Sequence, residues 1–310
     1  MKIEKYNVDQ LKVWNEFIRN SRQGTFLLNR DYMDYHSDRF IDHSLMFYDK
    51  DNNLIAVLPA NIKENILYSH QGLSYGGLIY NKEARTVDIL WCFEVLKLHM
   101  KDNNIKNLIY KKTPSIYNIY PADEDLYALF RNDAKLIRRD IGYAIDIDRK
   151  IKLSRNKTRY LKKTESLFSI RETQDFQSFY LIMQDALMIH NAKPVHSAEE
   201  IKLLTNRFPN NIKLYGVFDS DNIIVAGAWV FINKDVIHIQ NMLATMSSKK
   251  LNVIDFVYNW VLDNLCKDKR YLSFGISTER NGSYLNEGLA QQKESFGARG
   301  ICYDFYNLSI

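Results

Sequence analysis

The hydrophobic and polar positions in the first half of the chain predict a helical segment, a hairpin, a helix and a strand. Apolar residues recur at helical spacing over residues 8–40 and again over residues 87–100. Between these segments, apolar runs at residues 45–48 and 54–60 flank a turn rich in Asp and Asn, which is typical of a hairpin. A short apolar strand at residues 108–110 completes the series.

The second half repeats this order of elements. Two helices are predicted over residues 176–189 and 198–208, and Ser197 is the expected N-cap of the second. A hairpin, a strand, a helix and a strand follow, at residues 214–226, 238–242, 253–265 and 271–274. Because the same elements recur in the same order, the sequence predicts a tandem duplication of one α/β unit.

The predicted fold class is α/β (α+β), with a first domain over residues 1–148 and a second over residues 149–310. The boundary falls near a strongly basic run. Residues 301–310 form a final strand, which either closes the sheet of the second domain or returns to the sheet of the first.

Composition indicates a globular protein without a membrane span. Hydrophobic residues make up 46% of the chain and charged residues 25%, and no apolar run reaches the roughly 18 residues that a span requires. The first residues contain no apolar signal core, and the three cysteines fit neither a disulfide framework nor a metal site. We therefore expect a cytoplasmic protein.

The net charge of +5 is mild, but its distribution is uneven. The basic run from Arg149 to Lys163 contains eight basic residues and no acidic residue. Such a run is either a solvated surface or a binding surface for a phosphate-bearing partner, which would be a nucleotide-linked small molecule or an RNA.

Several standard sites are excluded. The sequence contains no P-loop, and no glycine-rich dinucleotide motif opens a helix. The segment from Gly275 begins like the nucleophile elbow of a serine hydrolase, but Glu279 stands where the second glycine belongs. His190 and His196 match no standard metal-ligand spacing, so we expect no metal site.

Residues 271–300 combine a strand, a polar loop and a segment with helical spacing. In open α/β sheets, ligands bind at the carboxyl ends of strands, where this loop lies. The alternative is an ordinary connection in which the polar residues only cap the helix.

Two further loops are candidates for ligand binding. Residues 69–77 contain three glycines, which allow close approach of the backbone to a ligand, although a plain turn between strands is the favoured interpretation. Residues 193–197 lead into a helix N-terminus, which either holds an anion or is simply capped.

Taken together, these segments resemble the FemAB-like branch of the GNAT acyltransferase superfamily, which includes GNAT-family acetyltransferases and peptidoglycan-bridge aminoacyltransferases. The similarity covers nearly the whole chain, and its most telling segments lie, in order, at residues 69–77, 193–197, 274–277, 284–289 and 293–299. The resemblance implies two tandem GNAT-like domains, each with a mixed, largely antiparallel sheet flanked by helices.

The resemblance also implies a reaction: transfer of an acyl or aminoacyl group to an amine of a sugar- or peptide-linked cell-envelope precursor. The donor would lie where the fourth and fifth strands, at residues 238–242 and 271–274, separate. Glu279 and His238 are the candidate bases, and backbone amides near residues 240–242 would hold the oxyanion. The implied donor-binding residues are Gln240, Asn241, Met242, Ser247, Ser248, Lys249, Lys250 and Asn252. The implied acceptor-binding residues are His70, Ser74, Tyr75, His190, His196, Arg207, Ser277, Asn281, Tyr284, Asn286 and Lys293.

One departure from the superfamily concerns the donor. The loop that cradles acetyl-CoA in GNAT enzymes is replaced by residues 245–252, which contain no glycine. Fem-type enzymes take the acyl group from charged tRNA, and the run from Arg149 to Lys163 suits that partner, although the long helical arm of some Fem-type enzymes has no counterpart here. Acyl-CoA and aminoacyl-tRNA are therefore alternative co-substrates, and no permanently bound cofactor is expected.

A different class of function is also consistent with the sequence. A duplicated GNAT fold without turnover would act as a binding module for a nucleotide-sugar or an RNA. The missing glycines favour this interpretation, whereas the dense polar loop at residues 277–286 favours an enzyme.

Overall fold

A computed structural model describes residues 2–151, 153, 155–188 and 193–310. The chain forms two compact units. The first consists of Met1–Ile141, Thr278–Leu285 and Ile301–Ile310, and the second consists of Gly142–Ser277 and Asn286–Gly300.

The first unit contains four helices and most of its strands before the long strand β9 (Lys135–Asp146), in which the division between the units falls. The helices are α1 (Leu11–Asn20), α2 (Arg30–Met33), α3 (Thr86–Asp102) and α4 (Glu124–Arg131). The strands are β1 (Lys2–Lys5), β2 (Ile41–Asp42), β3 (Leu45–Tyr48), β4 (Leu54–Leu58), β5 (Asn61–Lys63), β6 (Ile66–Tyr68), β7 (Ile79–Tyr80) and β8 (Asn107–Lys111).

Two sheets organise the first unit. One has the order β1-β3-β4-β7 and contains the predicted hairpin, because β3 and β4 pair antiparallel from Leu45 opposite Leu58. In the other, β6 pairs in parallel with β8 and antiparallel with β5. The apolar face of α3, including Phe93 and Leu96, packs into the core with Phe47 and Tyr110.

The second unit contains the remaining helices and a sheet of long strands. The helices are α5 (Arg155–Glu165), α6 (Phe176–Met188), α7 (Ala198–Arg207), α8 (Met246–Lys249), α9 (Val253–Leu265) and α10 (Glu287–Ser295). The strands are β10 (Ser169–Glu172), β11 (Ile212–Phe218), β12 (Ile224–Ile232), β13 (Val236–Ala244) and β14 (Tyr271–Ile276). Strands β10 to β13 pair antiparallel in chain order, and β13 pairs in parallel with β14.

Three strands complete the chain: β15 (Thr278–Glu279), β16 (Tyr284–Leu285) and β17 (Arg299–Ser309). Strands β15 and β16 form a small hairpin in the segment that was expected to be a polar loop. The final strand returns to the first unit, where Phe305 pairs with Lys111 and Ser309 with Asn107. Of the two alternatives left open for residues 301–310, the return to the first unit is therefore the one observed.

The register of the parallel strand pairs supports the duplication. In the first unit, β6 and β8 pair through Ile66–Asn107, Leu67–Leu108 and Tyr68–Ile109. In the second, β13 and β14 pair through Val236–Tyr271, Ile237–Leu272 and His238–Ser273. In each unit, three residue pairs therefore join the two parallel strands at the start of the pair. The other strand pairings are largely antiparallel, so each unit has the mixed α/β fold that the sequence predicts.

The helical pattern predicted over residues 8–40 is interrupted in the structure. Helix α1 ends at Asn20, and a tight turn follows that brings Gly24 against the helix end. A Cβ atom at Gly24 would lie 1.8 Å from the Ile18 carbonyl oxygen, so only glycine fits. Short 3-10 turns and the four-residue α2 occupy the rest of the segment.

The division between the units also differs from the expected boundary after residue 148. It falls between Ile141 and Gly142, inside β9, which ends at Asp146, two residues before the expected end of the first domain. Among the described residues, no helix is long and apolar enough to span a membrane.

Candidate active site

The sheet of the second unit opens where β13 and β14 part. Their parallel pairing ends at His238 and Ser273, whereas β13 continues to Ala244 and keeps its pairing with β12 up to Ala226. The backbone of residues 239–244 therefore has an edge that β14 does not pair. Such an edge presents N–H and C=O groups that a ligand can bind.

Three side chains line the sheet where this opening begins. Phe231 pairs with His238 across β12 and β13, and His238 pairs with Ser273 across the parallel strands, so all three point to the same face. The Nδ1 atom of His238 lies 3.1 Å from the Ser273 hydroxyl. Burial lowers the pKa of His238 to about 4, with a smaller opposing effect from a hydrogen bond to Gln240. His238 is therefore neutral at physiological pH.

Lys293 reaches the same end of β14 from α10. Its side chain is only 2% exposed, and its Nζ atom donates to the carbonyl oxygens of Gly275 at 3.0 Å and Ile276 at 2.7 Å. Gly275 has a φ of +67°, which turns the end of the strand and exposes its carbonyl to the lysine. Burial lowers the pKa of Lys293 to about 7, because few charged groups compensate for lost hydration.

The surroundings of Lys293 supply further polar groups. The ring centroid of Tyr143 lies 5.9 Å from its Nζ atom, and burial raises the pKa of the Tyr143 phenol. Ser277, directly after β14, is buried, and its hydroxyl has no hydrogen-bond partner among the described residues. Since buried hydroxyls are rarely left unpaired, this group is available to a ligand.

A row of aromatic rings extends this face along β12. Trp229 and Phe231 pack edge to face with centroids 5.0 Å apart, and His196 packs against Trp229 at 5.2 Å. The indole N–H of Trp229 is buried and has no partner among the described residues. The row brings His196, from the loop before α7, to the same face of the sheet as His238.

In the first unit, the corresponding position lies where β6 and β8 end their parallel pairing, and a loop of the chain occupies it. Beyond Tyr68, the chain forms a loop whose Ser69 hydroxyl accepts a hydrogen bond from the Lys111 backbone N–H at 2.8 Å. The Nζ atom of Lys111 then donates to the carbonyl oxygens of His70, Gln71 and Leu73 at 3.0, 3.3 and 2.7 Å. All three N–H groups of this ammonium are therefore used within the chain.

Lys111 of the first unit, which is half-buried, and the buried Lys293 of the second unit differ in this respect. Burial lowers the pKa of Lys111 to about 8, but its three hydrogen bonds leave no capacity for a ligand. Lys293 donates two hydrogen bonds to the chain, and no third acceptor occurs in the part of the chain that the structure describes. Of these two lysines, Lys293 can therefore interact with a ligand without losing a hydrogen bond, whereas Lys111 cannot.

The hairpin β15–β16 holds several predicted site residues in the first unit rather than the second. Glu279 is exposed and pairs with Tyr284 across the hairpin. The Arg138 guanidinium donates to the Asn281 side chain at 3.0 Å. Glu279 and His238, the two candidate bases, thus belong to different units, and the roles of Glu279, Asn281 and Tyr284 stay predictions.

The predicted acceptor residues of the loop at 69–77 are mostly engaged within the first unit. His70 is buried, and its ring stacks on that of His36 with centroids 5.6 Å apart. The Tyr75 hydroxyl donates to the Thr25 hydroxyl at 3.1 Å, while Ser74 is exposed. These contacts shape the loop and leave Ser74 as its accessible hydroxyl.

The remaining predicted acceptor residues lie at the ends of two helices. Asn286 caps α10 by accepting from the Leu289 backbone N–H at 3.1 Å. His196 precedes α7, and Arg207 is exposed in the last turn of this helix, about 14 Å along its axis from Ala198. His190 lies outside the described residues.

The predicted donor-binding residues occupy β13 and the turn after it. Gln240, Asn241 and Met242 lie half-buried on the open edge of β13. The buried Ser248 hydroxyl donates to the Val225 carbonyl at 3.0 Å, so it holds the turn together. Ser247, Lys249, Lys250 and Asn252 are exposed around this turn.

The basic run contributes helix α5, which packs on α9. The Thr164 hydroxyl donates to the Leu251 carbonyl at 2.9 Å, so α5 lies directly beside the turn that carries Lys249 and Lys250. Arg159, Lys162 and Lys163 are exposed on α5. The two basic segments, which are distant in sequence, therefore adjoin in the structure.

Sequence reasoning missed two residues of this site, Ser273 and Trp229, and the role of Lys111 in the first unit. Ser273 and Trp229 lie within apolar strand segments, where the only available signal was a polar atom in a buried run. Lys111 ends an apolar strand, and nothing in the sequence indicates that its ammonium contacts a loop forty residues earlier. Among the described residues, no group of three or more His, Cys, Asp or Glu side chains is arranged to hold a metal ion.

Comparison with known proteins identifies the fold. Neither a protein-family model nor a curated protein sequence matches the chain. The structure is similar to that of FemX, with a TM-score of 0.71 and 8% identity over 100% of this chain and 98% of FemX. L-PGS from Bacillus licheniformis gives a TM-score of 0.64 with 10% identity, covering 99% of this chain and 93% of that one.

A tandem GNAT protein from the clavulanic acid biosynthesis pathway is also similar. Its TM-score is 0.53 with 10% identity, over 99% of this chain and 98% of that protein. The three similarities confirm the predicted fold: a tandem GNAT architecture of the FemAB-like kind.

Proposed function

We propose that this chain, which has the tandem GNAT fold of FemAB-like proteins, is an N-acyltransferase whose reaction takes place in its second unit. It would move an acyl or aminoacyl group to an amine of a sugar- or peptide-linked cell-envelope precursor. The observation that carries the proposal is the unsatisfied Lys293 side chain at the point where β13 and β14 part.

The position of Lys293 suits proton transfer. As an ammonium, it donates two hydrogen bonds to Gly275 and Ile276 and keeps one N–H for an oxyanion. As a neutral amine, it keeps the same two hydrogen bonds and has a lone pair in place of the third N–H. Because its pKa is about 7, both forms are populated at physiological pH.

The acceptor amine attacks the acyl carbon of the donor, and its nitrogen loses a proton to the lone pair of neutral Lys293. The tetrahedral oxyanion accepts hydrogen bonds from backbone amides on the open edge of β13. Collapse breaks the bond to the donor, and the departing thiolate or alkoxide recovers the proton from Lys293.

His238 has a supporting role in this scheme. Burial holds it neutral, and its contact with Ser273 fixes the orientation of the ring beside the opening. Its Cε1 atom lies 3.5 Å from the position that a Cβ atom at Gly275 would occupy, so the ring lies beside the residue whose carbonyl Lys293 binds. Glu279 is the alternative base, and its test is the Glu279→Gln variant.

The donor is either acyl-CoA or aminoacyl-tRNA, and α5 favours the second. The exposed cations Arg159, Lys162 and Lys163 lie beside the turn with Lys249 and Lys250, so phosphates could contact both segments. The turn after β13 contains no glycine and uses the Ser248 hydroxyl internally, which leaves little of a backbone cradle for CoA phosphates. Both donors are cytoplasmic molecules.

A transfer assay tests the proposal. Radiolabelled acetyl-CoA and charged tRNAs would be offered with amine acceptors of the UDP-sugar and peptide classes, and label in the acceptor would be measured. We expect transfer by the native chain and a loss of at least about 100-fold in the Lys293→Gln variant. The Lys202→Gln variant, which changes an exposed lysine of α7, should keep full activity.

One observation favours a second function, a binding module without turnover. The Ser248 hydroxyl is used internally in a turn that lacks glycine, so the turn offers donor phosphates little of a backbone cradle. A binding module would bind a nucleotide-sugar or an RNA equally well with Lys293→Gln and would transfer no label from either donor. Transfer that depends on Lys293 excludes this alternative.

A further inference from the structure

A groove of about 880 Å³ lies in the first unit, at the C-terminal end of α3. This volume is in the range of sites that bind small molecules. The lining residues come from α3, from the turn before β8 and from the end of β17, and are Glu94, Lys97, Leu98, Lys101, Asn104, Ile105, Lys106, Ser309 and Ile310. None of them takes part in the proposed transfer.

The groove combines an apolar wall with an ammonium rim. Leu98 is 60% exposed although the opposite face of α3 already supplies the core, and Ile310 is 47% exposed at the other side. Ile105 is buried in the turn between them. Covering this surface with an apolar ligand would remove it from water, which is favourable.

The rim is predominantly cationic. Among the side chains that line the groove, three are lysines and one, Glu94, is a carboxylate. Lys97 donates to the Asn132 side chain at 3.0 Å, which fixes its position between α3 and the end of α4. Lys101 and Lys106 are exposed and form no ion pair among the described residues, so their charges are available to a ligand.

The end of β17 holds the groove in shape. The Ile310 backbone N–H donates to the Lys106 carbonyl at 3.2 Å, and the Ser309 hydroxyl donates to the Asn107 side chain at 2.9 Å. These bonds tie the far wall to the turn that carries Lys106. These hydrogen bonds, and not flexible side chains alone, therefore determine the shape of the groove.

We propose that this groove binds a single-chain amphiphile with an anionic head, of the chemical class of a long-chain fatty carboxylate. The chain would cover the exposed side chains of Leu98 and Ile310, and the carboxylate would accept hydrogen bonds from Lys101 and Lys106. A purely polar anion would leave the apolar wall uncovered, and a neutral chain would leave the two ammonium groups unpaired.

Ligand titration of the full chain tests the site. Oleate is the probe, oleyl alcohol has the same chain without the charge, and hexanoate has the charge with a short chain. We expect oleate to bind and the other two to bind at least about tenfold more weakly, because each lacks one of the two contacts. All titrations stay below the concentration at which oleate forms micelles.

Variants locate the site. Lys101→Ala with Lys106→Ala should weaken oleate binding about fivefold or more, and Leu98→Asp should weaken it at least about tenfold. Leu98→Ser provides a milder change at the same exposed position. The control is Lys202→Ala with Leu203→Asp on α7, which alters an exposed lysine and an exposed leucine of the second unit and should leave binding unchanged.

Three results would overturn the proposal. Oleyl alcohol could bind as tightly as oleate, or the groove variants could bind oleate as the control does. Vesicles containing phosphatidylglycerol could also retain the protein through the same residues while monomeric oleate does not bind, which would make the face a membrane-contact surface instead.

Discussion

Replacing Lys293 by methionine should remove a specific pH dependence from the stability of the second unit. Burial lowers the pKa of Lys293 to about 7 in the folded protein, whereas an unfolded lysine has a pKa near 10.4. Between these values the unfolded chain binds more protons than the folded chain. The free energy of unfolding therefore rises with pH from about 7 towards 10, and at lower pH this contribution is absent.

The magnitude follows from the difference in bound protons. Each unit of pH contributes up to about 1.4 kcal/mol where the folded lysine is neutral and the unfolded lysine is charged. Between pH 7 and pH 9, the gain amounts to about 2 kcal/mol, since half of the folded lysine is already neutral at pH 7. His238 does not contribute in this window, because its pKa is lowered to about 4.

Denaturant unfolding measured by tryptophan fluorescence provides the assay. Replacing Trp14 and Trp91 by phenylalanine leaves Trp229 and Trp260, so that the signal reports the second unit. In this background, the free energy of unfolding of the Lys293→Met variant should rise less with pH than that of the parent chain. The difference between pH 7 and pH 9 should be about 2 kcal/mol. Lys202→Met, which removes an exposed lysine, should keep the slope of the parent chain.

Equal slopes in the Lys293→Met variant and the parent would refute the reasoning. They would mean that the Lys293 ammonium keeps an ordinary pKa despite its burial. The proposed role of Lys293 as both base and acid near neutral pH would then have no support.

Three further predictions concern the first unit. Lys111→Met removes the donor of three hydrogen bonds to the loop at residues 69–73 and should lower the free energy of unfolding by about 3 kcal/mol or more, measured by denaturant titration. Gly24→Ala should lower the melting temperature by several degrees, because the new methyl group would collide with the Ile18 carbonyl, and calorimetry checks this. His43 lies with its Nε2 atom 2.8 Å from that of His99, and burial lowers its pKa to about 4. Stability should therefore fall by up to about 3 kcal/mol as pH drops from 6.5 to 4, and His43→Gln should show a smaller fall in acid titrations.

The regular elements of this fold are largely visible in the sequence, because local spacing determines them. Helix α9 occupies the predicted residues 253–265, and the Ser197 side chain caps α7 by accepting from the Glu200 backbone N–H. The repeated order of elements indicated the duplication, and the resemblance to FemAB-like proteins is confirmed at the level of the fold. The helical spacing of apolar residues wrongly predicted a continuous helix over residues 21–24, where Gly24 packs against the end of α1.

The candidate site was less accessible from the sequence, because it depends on contacts between distant segments. Lys293 appeared only as one of many implied acceptor residues, and its burial follows from α10 lying against the end of β14. The contrast with Lys111 is visible only when hydrogen bonds are counted in both units. The adjacency of α5 and the turn with Lys249 likewise depends on tertiary contacts, among them the packing of α5 on α9 and the hydrogen bond from Thr164 to Leu251.

The central claim is that the acyl donor binds at the open edge of β13 in the second unit. Amide hydrogen exchange with mass spectrometry measures this directly, with acetyl-CoA and a charged tRNA mixture as alternative ligands. We predict that one of them slows exchange in peptides covering residues 239–244 and 275–277, while residues 66–73 of the first unit are unaffected. Protection confined to the first unit, or no protection by either donor, would contradict the account.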